Sequence, residues 1–288
     1  MLAINKETGF NRLRSIGSDR MAHKKKLLLD RINKRGFEIR FISHSAAILE
    51  KDFPEALAEL ESCLINLEIP ITEIIGSGGG EAKGTQRLRR SLAALNWNKT
   101  SFEIKKTING VERESISHEV DHVRSFPAGT VVLEIEWNNK DPFFDRDLEN
   151  FKRLHAEGAI SVGIIVTRGS SLQDEMRSVV HRFTQERNVQ SFDDLKTLGL
   201  NPTRRQISEV NKRVNRPRNP QPFAEAWTEH FVSDKFGAAT THWRKLMDRV
   251  DRGVGNPCPL LLIGLPASIV TFDPHAKIEV EDEPETEE

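Results

Sequence analysis

Two glutamates separated by a single residue on a strand place their carboxylates side by side on one face. The run Val131-Val132-Leu133-Glu134-Ile135-Glu136-Trp137 predicts such a strand from its β-branched content and its alternation. Leu133, Ile135 and Trp137 then point into a core, while Val132, Glu134 and Glu136 point the other way, with the two carboxylates about 7 Å apart. A third acid, Asp121, lies in Ser117-His118-Glu119-Val120-Asp121-His122-Val123, and a turn at Pro127-Ala128-Gly129 returns the chain as an antiparallel neighbour of the Glu134 strand. Three carboxylates so placed form the oxygen-rich pocket that Mg²⁺ prefers. The chemistry would be phosphodiester hydrolysis: a metal on Asp121 and Glu134 polarises the phosphate and acidifies a bound water, which Glu136 orients or deprotonates. The same alternation also fits an exposed sheet face whose glutamates pair with Lys or Arg.

The surrounding elements must hold this strand in place. Residues 1–35 read as a basic, mainly helical lead-in interrupted at Gly9 and Gly17, and Gly36 precedes a strand over Phe37–Ile42. Apolar spacing at Ala56, Leu57, Leu60, Leu64 and Leu67 predicts a helix opened by Pro54 and ended by Pro70. A glycine-rich loop at 76–80 leads to a second amphipathic helix near Thr85–Leu95, and Asn109-Gly110 marks a hairpin between two short strands. After the glutamate strand, a helix with Asp145 as N-cap buries Leu148, Phe151 and Leu154, ends at Gly158, and feeds the strand Ile160–Thr167. Strand, helix, strand implies a parallel pair with a right-handed crossover. A helix near Leu172–Glu186, a basic Pro- and Asn-rich connection, a helix near Thr241–Arg252 and a buried strand Pro259–Leu265 complete an α/β layout with a central mixed β-sheet flanked by helices.

Composition sets the bounds. The 288 residues are 37% hydrophobic and 30% charged, with a formal net charge of −1 and two cysteines, Cys63 and Cys258. No apolar run approaches the roughly 20 residues of a membrane span, and two cysteines make neither a disulfide framework nor a Cys-based zinc site, which points to the cytoplasm. Charge is segregated. Residues 1–40 carry eleven bases against four acids; Arg204, Arg205, Lys212, Arg213, Arg216 and Arg218 form a second basic stretch; Arg87, Arg89 and Arg90 form a third. Such stretches fit polyanion contact or a solvated helix face. The acidic end, from Glu279 to Glu288, reads as disorder. The chain therefore divides into a basic N-terminal helical segment (1–35), a main domain (36–272) and an acidic tail (273–288). Glu81 and Glu119 are further acids near the pocket, and His118 and His122 flank Asp121 with a spacing that fits second-shell or exposed roles better than zinc. Gly78-Gly79-Gly80-Glu81-Ala82-Lys83 lacks the Gly-Lys-Ser/Thr ending of a phosphate loop.

Asp121, twelve residues, then Glu134-Ile135-Glu136 resembles the divergent Asp…(Asp/Glu)-x-Lys active-site pattern of the restriction-endonuclease fold, in the variant that replaces the final Lys. The chain is most similar to the BglII-like type II restriction endonucleases. The likeness runs from Gly84-Thr85-Gln86 and Leu95-Asn96-Trp97, through Val120-Asp121 and Leu133–Trp137, to Val162-Gly163-Ile164-Ile165-Val166-Thr167-Arg168-Gly169 and, more weakly, Pro259–Leu265. It covers about two thirds of the chain.

The resemblance implies a Mg²⁺-dependent type II restriction endonuclease that hydrolyses double-stranded DNA at a specific sequence. On that basis Asp121 and Glu134 are the metal-binding acids, and Glu136 takes the position of the motif's Lys without offering its positive charge to the phosphate. The loop after the catalytic strand nominates Asn138 and Asn139 for base contacts, since Asn bonds bidentately to adenine; both also suit a turn. Arg87, Arg90, Arg204, Arg205, Arg216 and Arg218 are phosphate-contact candidates. A homodimer on a palindromic site would give each strand one active site. A cognate DNA methyltransferase is expected in the same host. Two other readings stay open: a repair or recombination nuclease of the same fold with little sequence preference, and a catalytically silent DNA-binding or interaction protein.

Overall fold

Strands that are apolar on both faces need helices on both sides, and Val162–Arg168 and Leu260–Leu265 are buried at every position. The computed structural model describes residues 28–76 and 81–278; the lead-in through residue 27, Ser77 with the three glycines after it, and the acidic end from 279 lie outside the described residues. The described residues open with α1 (Asp30–Lys34), β1 (Glu38–Ile42), α2 (Ser45–Asp52), α3 (Pro54–Ile65), the short β2 (Ile69–Pro70), α4 (Ile71–Ile75) and α5 (Lys83–Ala94). Next come β3 (Asn98–Ile108), β4 (Val111–Phe126), β5 (Gly129–Glu136), α6 (Phe143–Ala156), β6 (Val162–Arg168) and α7 (Ser170–Glu186). The remainder is α8 (Phe192–Thr197), α9 (Arg204–Val214), α10 (Phe223–Lys235), α11 (Trp243–Asp251), β7 (Leu260–Leu265) and the two-residue β8 (Val270–Thr271).

Six strands form one mixed sheet in the order β1-β7-β6-β5-β4-β3. β5, β6 and β7 are parallel, while β1, β4 and β3 join antiparallel at the sides. Leu133, Trp137, Ile164, Val166, Leu261 and Ile263 face one core, closed by Leu60 of α3, Leu92 of α5, Met176 of α7 and Phe231 of α10. Val132, Ile165, Leu260 and Leu262 face a second core under Phe144, Leu148 and Phe151 of α6 and Leu246 and Val250 of α11. The expected split of the glutamate strand into two faces is what the packing shows. Glu134 and Glu136 share the α6 side with Val132, so the picture of them as an exposed sheet face does not hold.

Local signals worked where they were strong. Asn109 and Gly110 take positive φ (53° and 76°) in the β3–β4 turn, and Gly158 (φ 71°) follows the end of α6. Other expectations need correction. Asp145 is not the N-cap of α6, which begins at Phe143 after Pro142; Asp145 sits in the first turn and pairs with Arg249 at 2.8 Å. Pro70 does not end α3, which stops at Ile65, but precedes α4. The stretch read as a basic connection contains α9, whose Thr203–Gln206 capping box supplies a start signal, and α10, whose Ala226, Trp227 and Phe231 enter the main core.

The crossover that fixes β5 against β6 depends on one close approach. A Cβ added to Gly163 of β6 would lie 2.4 Å from the Phe151 ring of α6, too near for either to stay. Gly163→Ala should therefore cost about 1–3 kcal/mol in chemical denaturation. Adding Phe151→Leu should recover part of that loss. A G163A variant as stable as the wild type, or one not helped by F151L, would show that this contact does not set the spacing.

Candidate active site

The site is built where β4 and β5 begin to separate. In the β3–β4 ladder Thr100 pairs with Val120 and Asn98 with Val123, so Lys99 alone stands opposite both Asp121 and His122. This is a β-bulge, which bends its strand and re-aims its side chains. The β4–β5 ladder runs from Phe126↔Gly129 to His122↔Leu133, and one step further Asp121 meets Glu134: the Asp121 backbone N–H donates to Glu134 Oε1 at 3.3 Å. The two residues proposed to share a metal are thus adjacent, with Asp121 exposed and Glu134 only 6% exposed.

Glu136 is also buried, at 3% exposure, and a carboxyl not foreseen from sequence lies against it. Asp147 of α6 lies close to Glu136 from within the second core, its Oδ2 buried without a hydrogen-bond partner, and burial raises the pKa of both. Burial, with the charges of Asp147 and Asp121 adding to it, pushes Glu134 up to about 9; burial and Asp147 push Glu136 up to about 8. One cation among the described residues pairs with Asp147. Arg146 donates from Nε and Nη2 to Asp147 Oδ1 at 2.9 and 2.8 Å, lies 3.7 Å from Glu136, and stacks over Phe143. Asp147 sits on a helix whose apolar positions predict an inward face, so its position beside Leu148 was the available signal.

The donor set suits a hard divalent cation. Glu134 has no ion-pair partner among the described residues, its sole hydrogen bond is the long one from Asp121, and the nearby groups are oxygen donors. No group of three or more His, Cys, Asp or Glu side chains is already drawn together as a metal cage among the described residues. Asp121 and Glu134 would be the first ligands, with water completing the shell.

The loop after β5 is fastened from several directions. Arg168 at the end of β6 is fully buried and has no carboxylate partner among the described residues. Its Nε donates to Trp137 O at 2.8 Å, Nη2 to Thr240 Oγ1 and Thr241 O at 2.6 and 2.8 Å, and Nη1 to Gln173 Oε1 at 2.6 Å, while its guanidinium lies over the Phe236 ring. Thr167 Oγ1 donates to Glu136 O, and Asn139 exchanges two hydrogen bonds with Thr241. Asp141 is held by Lys245 and Arg249, which keep its carboxyl below the usual range.

The remaining candidates divide. Asn139 Nδ2 donates to Glu136 Oε2 at 2.7 Å, and the residue is exposed at the border of the cleft. Asn138 lines the cleft beside the site, and its buried Oδ1 has no partner. Arg87 is held by both oxygens of Glu73 and by Glu68 O, which removes it as a phosphate contact. Arg90 bonds Gln86; Arg204, Arg205, Arg216 and Arg218 are exposed and have no ion-pair partner among the described residues. Glu81 pairs with Arg89 and Glu119 with Lys99. His118 and His122 are buried, not exposed, and His122 Nδ1 is 3.1 Å from Leu133 O. Trp97, Trp137 and Trp227 are buried and Trp243 packs at the second core, as expected of packing residues. The cleft, about 730 Å³, is bordered by Lys99, Asp121, His122, Asn138 and Asn139 at the β4–β5 end and by Glu81 and Arg89 across from them.

Replacing Arg168 by Met should leave the Trp137 and Thr241 carbonyls without donors, at a cost of about 2–4 kcal/mol in denaturant unfolding, with Arg168→Lys intermediate. A loss below about 1 kcal/mol would show that the loop does not depend on it. Compared with known proteins, residues 37–265 match the family model described as Restriction endonuclease BglII/BglIII. No curated protein matches the chain. The match covers well over half of the 288 residues, from the start of the sheet to the end of β7, and takes in the bulge, both strand glutamates, Asp147 and Arg168. The chain belongs to the BglII/BglIII restriction endonuclease family, whose members act on double-stranded DNA, and it is a site-specific endodeoxyribonuclease.

Proposed function

We propose that the chain is a type II restriction endonuclease whose hydrolysis of DNA depends on Mg²⁺ held by Asp121 and Glu134. The observation that carries this reading is the apposition of those two residues across the end of the β4–β5 ladder, with Glu134 buried and uncompensated. Mg²⁺ bound there would supply Lewis-acid stabilisation of the charge that develops on the phosphate. The protein's own groups do the rest. Glu136, whose carboxyl burial and Asp147 push upward, is the group placed to accept a proton from water. Asn139 fixes the orientation of its carboxyl, and Arg146 keeps the Asp147 charge from overwhelming it. The water oxygen adds to phosphorus, one P–O ester bond breaks, and the departing sugar oxygen takes up a proton.

Asn138 and Asn139, which both line the cleft, are the base-contact candidates. Arg204, Arg205, Arg216 and Arg218 are free to meet phosphates, and Arg90 gives up only a neutral hydrogen bond to do so. A homodimer would place one such site on each strand of a palindrome. In a host that carries the enzyme, a matching DNA methyltransferase would protect the same sequence, and the cytoplasm is the compartment where both would meet DNA. No helix among the described residues is long and apolar enough to cross a membrane.

Incubation of the wild type and Glu134→Ala with unmethylated phage DNA, with Mg²⁺ or with chelator, tests this directly when the fragment ends are sequenced. Discrete Mg²⁺-dependent fragments sharing one palindrome at their ends are expected, with the E134A rate lower by at least about 10³-fold. Smeared products would mean a nuclease without sequence preference. Intact DNA in every lane would mean a catalytically silent relative.

A further inference from the structure

Four carboxylates gather at this site, and the third position of the motif is Glu136 where a cation would help an incoming phosphodiester. Coulomb repulsion between that anion and Asp121, Glu134, Glu136 and Asp147 must be met by a positive group that can reach it. Among the described residues three cations border the site. Arg89 is held by both carboxylate oxygens of Glu81. Arg146 has both Nε and Nη2 on Asp147 Oδ1, and moving it would leave a carboxylate that is 1% exposed without its partner, a costly exchange.

Lys99 is different. It stands opposite the bulge, so its strand position faces Asp121 and His122 together. Its Nζ lies 3.6 Å from Asp121 Oδ1 and 2.5 Å from Glu119 Oε1, and it borders the cleft. Its side chain is 57% exposed and that of Glu119 60%, so giving up these pairs costs little. A flexible four-carbon stem anchored on a paired strand lets the ammonium move several ångströms without moving the backbone.

We propose that Lys99 is a further catalytic residue of this site, its ammonium leaving Glu119 and Asp121 to bind a non-bridging oxygen of the phosphate under attack. It supplies the positive charge that Glu136 cannot. This inference rests on the nuclease reading above. Lys99 holds the Asp121 carboxylate at the cleft edge; a cation held by that carboxylate would take the place of this pair.

The test is single-turnover cleavage of plasmid DNA with Mg²⁺ by the full chain, comparing wild type, Lys99→Ala, Lys99→Arg and the control Lys105→Ala. Lys105 lies further out on the same strand, paired with Glu103. K99A should cleave about 10²-fold more slowly while binding DNA within a few-fold of wild type. Propylammonium added to K99A should restore part of the rate, K99R should keep more activity than K99A, and K105A should match wild type. Wild-type cleavage with K99A within about twofold of it, or a K99A defect confined to DNA binding or untouched by propylammonium, would overturn the role of Lys99 and leave the nuclease reading standing. If the wild type cleaves no DNA, both fall.

Discussion

The burial of Glu134, Glu136 and Asp147 in one small volume is the constraint on which the rest depends. Three carboxyls taken out of water repel one another and each loses solvation, so the folded chain holds them at a cost that their protonation or a bound cation must offset. The structure accepts that cost because two rigid pieces meet there. β5 brings Glu134 and Glu136 to the α6 side through simple alternation, and the first turns of α6 bring Asp147 down onto them. Neither piece can withdraw, since Val132 and Leu148 belong to the same core.

Rigidity around this cluster comes from cations with fixed targets. Arg168 reaches under the loop after β5 from the next strand and binds carbonyl and hydroxyl oxygens alone. Arg249 of α11 joins Asp141 to Asp145 and so ties the loop to the first turn of α6. The bulge at Asp121 acts in the opposite sense: it frees one carboxylate from the ladder and turns it to the cleft while its backbone N–H stays on Glu134. One acid is accessible and two are sequestered, an asymmetry that suits a cation bound at the edge and a base held behind it.

Much of this was legible in the sequence. Period-two alternation placed Glu134 and Glu136 on one face, and the Pro127-Ala128-Gly129 turn was enough to set Asp121 beside them, because antiparallel register follows from turn position. The crossover helix and the buried strands at 162–168 and 260–265 followed from long apolar runs. What could not be read was long-range. Asp147 looks like any polar residue of an amphipathic helix until the crossover angle brings it to Glu136. Lys99 needs the bulge, which shifts register by one and has no signature in the residue types. Arg87 looks available for DNA in one dimension, yet Glu73 holds it in three. α9 and α10 were hidden by the Pro- and Asn-rich residues between them, although the capping box at Thr203 was a usable sign.

The central claim is that the metal-free site is held together against its own charge, and thermal unfolding of the full chain without DNA tests it most directly. Glu134 rises from 4.5 to about 9 and Glu136 from 4.5 to about 8 on folding, so their contribution is favourable below about pH 4.5 and is lost as pH rises through those folded values. Wild type should therefore lose stability between pH 5 and 9, Glu134→Gln should lose less, and at pH 8 Mg²⁺ should raise the Tm of wild type by about 3 °C or more while leaving E134Q nearly unchanged. An E134Q protein less stable than wild type at pH 8 without Mg²⁺, or one stabilised by Mg²⁺ to the same extent, would contradict the account.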